Sequence, residues 1–331
     1  GEEQSQFQFP LYRPPVVMLH GLWGYSTAWD GVINELTQKR NLYPPGLLFN
    51  FSYHPSNASS FEENKDVCDS AIKCGLSQAR RLGYSAGKVD VIAHSMGGVL
   101  ARIYLQDLGS HVYRQDIHKF ISIGVPHSGS QAANYLMGDS RLQDIFSQHN
   151  RPTNKGAVAD LCVDSQKIDH WLNTVTPDKH QVPSHVIVST AGVADVSNWE
   201  EFFLYNYVAW TQYGKVWLLY LFSIPQRIFG EDNDLIVAVS SQGGGLSATN
   251  KTPYDHLSHT VQIESEQVQE RLTDLLNLNA QDSSFATSGF SPPNLSYSPS
   301  FNVAASTVSR LGIASTGGVQ IISPTSGTLV N

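Results

Sequence analysis

Short runs of consecutive apolar residues alternate along most of the chain with segments whose apolar residues recur at helical spacing. These patterns predict strands over residues 15–19, 47–53, 88–93, 119–125, 185–190 and 235–239, and helices over 64–82, 97–108 and 266–276. Strands that alternate with helices indicate βαβ units. The pattern therefore predicts an α/β fold, with a mostly parallel central sheet and helices on both faces.

Two long segments, residues 130–183 and 195–229, interrupt this alternation. The first is mixed and mostly helical. The second is crowded with aromatic residues, among them Phe202, Phe203 and Trp217. Because long insertions in a compact domain are usually functional, we expect helical lid or cap insertions that line a cleft. The alternative is that many of these aromatic residues are ordinary core.

The composition changes after residue 279. Residues 280–317 are rich in Ser, Thr and Pro and poor in charge, which is typical of a linker. Residues 318–331 have the pattern of an opening strand and turn of an immunoglobulin-like β-sandwich module. The predicted organisation is therefore a main domain over 1–279, a linker, and the start of a further module.

Charge and composition exclude some partners. The formal net charge is −8, which argues against a nucleic-acid-binding surface. The most apolar stretch, residues 202–224, carries Asn206, Gln212 and Lys215, so no membrane span is expected. Free thiols are expected at the three cysteines rather than a bridge. The Gly-Glu-Glu start is typical of a processed product, so a secreted or extracytoplasmic location is predicted.

The best candidate for chemistry is Ser95, which lies where a predicted strand runs into a predicted helix. A nucleophile on such a sharp turn needs small residues two positions before and after it, and Ala93 and Gly97 supply them. The N-terminus of the following helix points its N–H groups at the position where negative charge would develop. The alternative is a plain helix N-cap, which the preceding strand and the small neighbours disfavour.

Three segments carry a resemblance to a known family. Ala93-His94-Ser95-Met96-Gly97 resembles the nucleophile elbow of bacterial lipases and esterases of the α/β-hydrolase family, with Ala93 in place of the usual first Gly. Residues 20–24, His-Gly-Leu-Trp-Gly, resemble the oxyanion loop of that family, and residues 124–129 are similar to its Gly-Thr-Pro-His-x-Gly segment. The resemblance spans roughly residues 14–276 and implies an α/β-hydrolase fold. It also implies that the backbone N–H groups of Leu22 and Met96 form the oxyanion hole.

The acid of a Ser-acid-His triad is expected after Ser95 in the chain. Residues 230–237 are similar to the segment of the family that carries the acid, which implies Asp234. Asp195, which follows the preceding strand, is the alternative. Glu231 and Asp232 are interpreted as surface charge or as candidate metal ligands.

The base is expected last, and His256 and His259 compete for the role. The segment after His259 resembles the one that follows the base in small bacterial lipases, which favours His259, with His256 in reserve. The two histidines could also bind a metal, but the sequence indicates no third ligand. No metal and no cofactor is predicted.

The sequence thus predicts a serine carboxylic-ester hydrolase that degrades lipids through an acyl-enzyme. The expected partner is an ester or lipid substrate, with contact to a lipid surface, and Trp23, Phe202, Phe203 and Trp217 are expected to bind it. A phospholipase or an acyltransferase of the same fold is the alternative. A non-catalytic interaction module is disfavoured because all three triad members are present.

Overall fold

The computed structural model describes residues 13–44, 46–174, 180–202, 204–206, 224–297, 321–322 and 329–330. The chain divides into two compact units, Gly1–Tyr297 and Ser298–Asn331. In the second unit the described residues are two short antiparallel strands, Ile321–Ile322 and Leu329–Val330. The rest of the predicted β-sandwich segment lies outside the described residues. Residues 298–317 of the predicted linker also lie outside them.

A six-stranded sheet forms the centre of the first unit. Its strands are β1 (Val16–Leu19), β2 (Leu48–Phe51), β3 (Val89–His94), β4 (Ile117–Ile123), β5 (Ser184–Ser189) and β6 (Lys251–Tyr254). They lie in the order β2-β1-β3-β4-β5-β6, and every neighbouring pair is parallel. The predicted α/β fold with a parallel sheet is confirmed.

Helices connect these strands. The α-helices are α1 (Asp30–Asn34), α2 (Phe61–Asn64), α3 (Val67–Arg81), α4 (Met96–Leu105), α5 (Gln131–Gly138), α6 (Ser140–Gln148), α7 (Ala157–Asp160), α8 (Ile224–Phe229), α9 (Val239–Gly243) and α10 (Glu266–Asn277). Segments of 3₁₀ or π helix cover Ser26–Trp29, Glu35–Lys39, His54–Ser56, Lys167–Thr174, Val193–Asp195, Ala248–Asn250 and His259–Glu264. Among the described residues, no helix combines the length and apolarity needed to cross a bilayer.

Side chains on both faces of the sheet are buried. Val17 and Leu19 belong to one apolar cluster, whereas Val16 and Met18 belong to another. Alternate residues of a strand point to opposite faces, so β1 contributes to both clusters. This double burial explains why the strands read as continuous apolar runs rather than as alternating patterns.

The strand predicted over residues 235–239 is wrong; the sixth strand is β6, further along the chain. Leu235 has a φ of 79°, far outside the range of about −60° to −160° that strand residues adopt. The Asp234 side chain also accepts hydrogen bonds from the N–H groups of Ile236 and Val237, at 3.0 and 2.7 Å. These bonds to the backbone produce a tight turn where apolarity alone predicts a strand.

Residues 280–297, predicted as the first part of a linker, instead lie in the compact unit. Ala286 and Ser184 exchange two backbone hydrogen bonds, so this segment forms a single antiparallel bridge with the first residue of β5. Phe285 and Phe290 are buried, and Phe290 stacks on the ring of His127 at 4.4 Å. Two aromatic anchors thus hold a segment whose Ser- and Pro-rich composition predicts a linker.

Candidate active site

Ser95 lies on the turn between β3 and α4, at the carboxyl end of the sheet. Its φ and ψ are 53° and −132°, a combination that residues other than glycine rarely adopt. Strained backbone of this kind is concentrated at functional sites, where the surrounding structure enforces it. Here the N–H of Ser95 donates to the carbonyl of Ile123 at 3.0 Å, which ties the turn to β4.

Two glycines allow the elements around Ser95 to approach each other. A Cβ on Gly21 would lie 2.8 Å from the Cβ of Ser95, so the loop after β1 packs directly on the serine. A Cβ on Gly97 would lie 2.6 Å from the carbonyl oxygens of both Leu19 and His20. Glycine is therefore required at both positions, because a neighbouring atom occupies the place of a side chain.

Ser95, His259 and Asp234 form one hydrogen-bonded chain. The Oγ of Ser95 lies 2.8 Å from Nε2 of His259, and Nδ1 of His259 lies 2.7 Å from Oδ2 of Asp234. An ionised carboxylate only accepts, so Nδ1 carries the proton and Nε2 is free to accept one from the serine. The structure thus brings together the three residues that the sequence predicts as nucleophile, base and acid.

The Asp234 carboxylate is fully buried and held from several sides. Oδ1 accepts from the backbone of the turn described above, and Oδ2 also accepts from Nε2 of Gln262 at 2.8 Å. The N–H of His259 donates to the carbonyl of Asp234 at 2.9 Å, so the two loops are joined by backbone as well as by side chains. A carboxylate with this many donors is fixed in position and orients the imidazole.

The alternative acid and base lie together, away from the serine. Nδ1 of His256 lies 3.4 Å from Oδ2 of Asp195, and the His256 side chain is 85% exposed. Asp195 also accepts from the N–H of Gly192, as part of a local turn. No group of three metal-ligating side chains is found around His256 and His259 or elsewhere in the described part of the chain.

Two buried histidines support the loops around the serine. Nε2 of His94 donates to the carbonyl of His259 at 3.0 Å, and burial lowers the pKa of His94 to about 3. Nδ1 of His20 donates to the carbonyl of Gly21 at 3.0 Å, and burial lowers its pKa too. Both rings therefore stay neutral and act as fixed hydrogen-bonding groups. In the sequence, His20 and His94 are recognisable only as members of the two motifs, and nothing there indicates that they hold the loops by hydrogen bonds.

A cavity of about 320 Å³ opens beside Ser95 and His259. Its walls are mainly apolar side chains from residues 20–24, α5, α6, α7, residues 204–206 and the loops around Asp234 and His259. They include Leu22, Trp23, Ala133, Leu136, Phe146, Val158, Leu161, Leu204, Ile236 and Ile263. Such a concave, apolar site with a few polar groups at one end is typical of a small-molecule site.

The predicted substrate-binding residues have different positions. Trp23 lines the cavity beside Leu22, and its ring lies 5.8 Å from that of Phe146. Phe202 is 52% exposed and is not among the lining residues. Phe203 and Trp217 lie outside the described residues. The predicted insertions over 130–183 and 195–229 do supply much of the described cavity wall.

Glu201 is a buried carboxyl group close to the site that the sequence analysis missed. It is fully buried, and its Oε1 accepts from the hydroxyl of Thr260, the residue after His259, at 2.9 Å. Burial raises the pKa of Glu201, and hydrogen bonds from Ser197 and Thr260 oppose that effect. The residue stands in an aromatic-rich segment without a motif, so only its tertiary contacts reveal it.

Comparison with known proteins gives similarities in sequence and in fold. Residues 13–146 match the family model described as lipase (class 2). The mature form of the lipase BlEst2 from Bacillus licheniformis is 19% identical, with a TM-score of 0.55 over 80% of this chain and 93% of that one. Phospholipase PlaB from Legionella pneumophila is 15% identical, with a TM-score of 0.57 over 83% of this chain and 61% of that one. A search of curated protein sequences gives no match.

The family match covers β1 to β4, residues 20–24 and the serine turn, and the similar solved structures extend the likeness in fold to most of the chain. The parallel sheet with flanking helices is that of the α/β-hydrolase fold. The chain therefore has an α/β-hydrolase fold, and its residues 13–146 are similar to class 2 lipases.

Proposed function

We propose that this chain hydrolyses esters of lipid-like acyl groups with Ser95 as nucleophile, His259 as base and Asp234 as acid. One observation carries the proposal. The hydroxyl of Ser95, on strained backbone, is 2.8 Å from the imidazole of His259, which is oriented by the buried Asp234, and all of this borders an apolar cavity. This is the arrangement that an activated serine nucleophile requires.

The mechanism follows from the positions of the protons. His259 takes the proton of Ser95 through Nε2 as the Oγ attacks the ester carbonyl, and Asp234 stabilises the resulting imidazolium. His259 then gives this proton to the leaving alcohol, which leaves an acyl group on Ser95. A water molecule, deprotonated in turn by His259, releases the acid and regenerates the serine.

Two backbone N–H groups are proposed to bind the oxyanion. Met96 is the first residue of α4, so its N–H has no acceptor within the helix. Leu22 follows Gly21, whose backbone packs on Ser95, and it lines the cavity. Donors that are fixed before the reaction stabilise the developing charge without a cost of reorganisation, and removing one typically costs about a hundredfold or more in kcat.

The cavity supports an apolar acyl group as the bound part of the substrate. Its volume of about 320 Å³ is at the lower end of the range for small-molecule sites. Contact with the walls contributes about 25 cal/mol for each Å² of apolar surface that is buried. We therefore expect activity to rise with acyl length until the cavity is filled.

Phospholipid ester hydrolysis is a second candidate, supported by Arg151. Its side chain lines the cavity with its Cζ 5.7 Å from the ring centroid of Trp23, and its Nε is 3.6 Å from a carboxylate oxygen of Glu200. A guanidinium is well suited to phosphate, and the neighbouring carboxylate would suit an ammonium group. The pair is thus complementary to a zwitterionic head group.

Labelling and hydrolysis with the Ser95→Ala variant test the proposal. The variant should lose fluorophosphonate labelling, and its kcat should fall by about 10⁶-fold, because no covalent route remains. Its thermal unfolding should change little, since only one hydroxyl is removed. Labelling that persists in Ser95→Ala would show that the nucleophile is another residue.

A panel of substrates tests the acyl group and the head group. p-Nitrophenyl acetate, butyrate, octanoate and palmitate report the preferred chain length. Trioleoylglycerol emulsions and phosphatidylcholine vesicles, with Ser95→Ala as the blank, separate the two candidate functions. A wild-type rate on phosphatidylcholine that equals the blank would exclude the phospholipid candidate.

A further inference from the structure

Hydrogen bonds attach the second insertion to both neighbours of His259 in the chain. The Oγ of Ser197 lies 2.9 Å from the Oγ of Ser258, and Nδ2 of Asn198 donates to Oγ1 of Thr260 at 2.5 Å. Ser258 and Thr260 flank the base directly. The position of the imidazole is therefore coupled to a segment about sixty residues earlier in the chain.

Glu201 is the most buried member of this network. Its Oε1 accepts from the Thr260 hydroxyl at 2.9 Å, and its Oε2 accepts from the Ser197 N–H at 3.1 Å. Its own N–H donates to the side chain of Asn198 at 2.9 Å, as at the start of a helix. Capping of the helical residues that begin at Trp199 would explain the last bond. It does not explain why the carboxylate points to Thr260.

The charges that face Glu201 are those of the proposed triad. No Lys or Arg forms an ion pair with it among the described residues. Burial raises its pKa, the positive charge of His259 lowers it, and the negative charge of Asp234 raises it. Tyr205, the other titratable neighbour, is buried and donates its hydroxyl to the carbonyl of Leu235. The attraction to His259 is reciprocal, so an ionised Glu201 favours the imidazolium.

We propose that Glu201 is a positioning residue for His259, an inference that rests on the proposed function. It holds the base loop through the hydroxyl of Thr260, and its charge adds to that of Asp234 when His259 takes the proton of Ser95. Two buried carboxylates thus act on one imidazole: Asp234 by direct contact and Glu201 through the next residue. A buried charge acts over a longer range than an exposed one because solvent screens it less.

The pH profile of kcat/KM for p-nitrophenyl butyrate tests this role in Glu201→Gln. The acid limb reports the pKa of the base in the free enzyme. Because the variant loses a negative charge that favours imidazolium, the limb should move to lower pH by about 0.5 unit, and the plateau should fall by about tenfold. Glu270→Gln is the control: it removes one carboxylate that is 53% exposed and bonded to Arg40, so its limb should not move.

A purely structural role for Glu201 predicts a different result. Thermal stability and activity would fall together while the acid limb stays where it is in the wild type, and that result would overturn the proposal. If Ser95→Ala keeps its activity, the proposed function itself has failed. If Ser95→Ala is inactive and the limb of Glu201→Gln does not move, only the role of Glu201 has failed.

Thr260→Val provides a second test that does not require Glu201→Gln to fold. It removes the hydroxyl that joins Glu201 to the base loop, so kcat should fall by about tenfold with less than a twofold change in KM. Thr260→Ser keeps a hydroxyl and should restore most of the lost kcat. Equal kcat values for the Val and Ser variants would contradict the proposal.

Discussion

The turn that carries Ser95 and the segments that cover the cavity lie side by side but are built differently. The serine turn is made by consecutive residues, between β3 and α4, and every residue of both elements is buried. The cover consists of α5, α6 and described residues 197–202 and 204–206. It is fastened by side chains that reach other parts of the chain, such as Asn198 to Thr260.

This difference decides what each region tolerates. At the serine turn, backbone packs directly against backbone, as at Gly97, so a single added carbon clashes with its neighbours. At the cover, side chains such as Ala133 face the cavity, where added carbons take the place of open space. The first region should therefore respond to substitution by losing activity outright, whereas the second should respond by changing which acyl chains are accepted.

After the loss of Ser95 itself, the largest effect is expected at His259. His259→Ala should lower kcat by about 10⁵-fold or more, because the group that accepts the serine proton is lost. His256→Ala is the matched control, and its exposed side chain should make it differ from wild type by less than threefold. Steady-state rates on p-nitrophenyl butyrate measure both. Reversed losses would assign the base to His256.

Gly97→Ala should have the next largest effect. The added Cβ would lie 2.6 Å from the carbonyl oxygens of Leu19 and His20, so α4 or the loop after β1 must shift. We expect a loss of about a hundredfold in kcat/KM and about 2–3 kcal/mol in the free energy of unfolding. Gly87→Ala, where no atom lies within 4 Å of the new Cβ, is the control. Similar behaviour of the two variants would show that the turn is not tightly packed.

The same contrast explains what the sequence predicts. The first five strands and the turn at Ser95 depend on local patterns, namely buried apolar runs and small residues at fixed spacing, and they are found where they are predicted. Asp234 and His259 were identified by segment resemblance, and the fold brings them to Ser95 across 139 and 164 residues of sequence.

The rest depends on contacts that no local pattern encodes. The apolar run at 235–239 is typical of a strand, but hydrogen bonds from the backbone to Asp234 make it a turn. The composition of the segment that begins at residue 280 is typical of a linker, but Phe285 and Phe290 are buried and attach this segment to the domain. Glu201 is joined to the loop of His259 only because Thr260 folds against it. Each of these exceptions arises from a partner that is distant in sequence or from a side chain that bonds to backbone.

The smallest effect, and the most selective one, is expected from Ala133→Leu in the cover. Like Gly97→Ala it enlarges a small buried residue, but it adds three carbons rather than one, and it adds them toward the cavity of about 320 Å³. The new side chain should occupy space that a long acyl chain would use, so kcat/KM on octanoate esters should fall by about tenfold, or 1.4 kcal/mol. Acetate esters do not reach that space, so the rate on them should change by less than threefold.

Ala248→Leu, at an exposed position, controls for the substitution itself. An equal loss on acetate and octanoate, together with lower thermal stability, would mean that α5 is packed as tightly as the serine turn and that the contrast between the two regions does not hold.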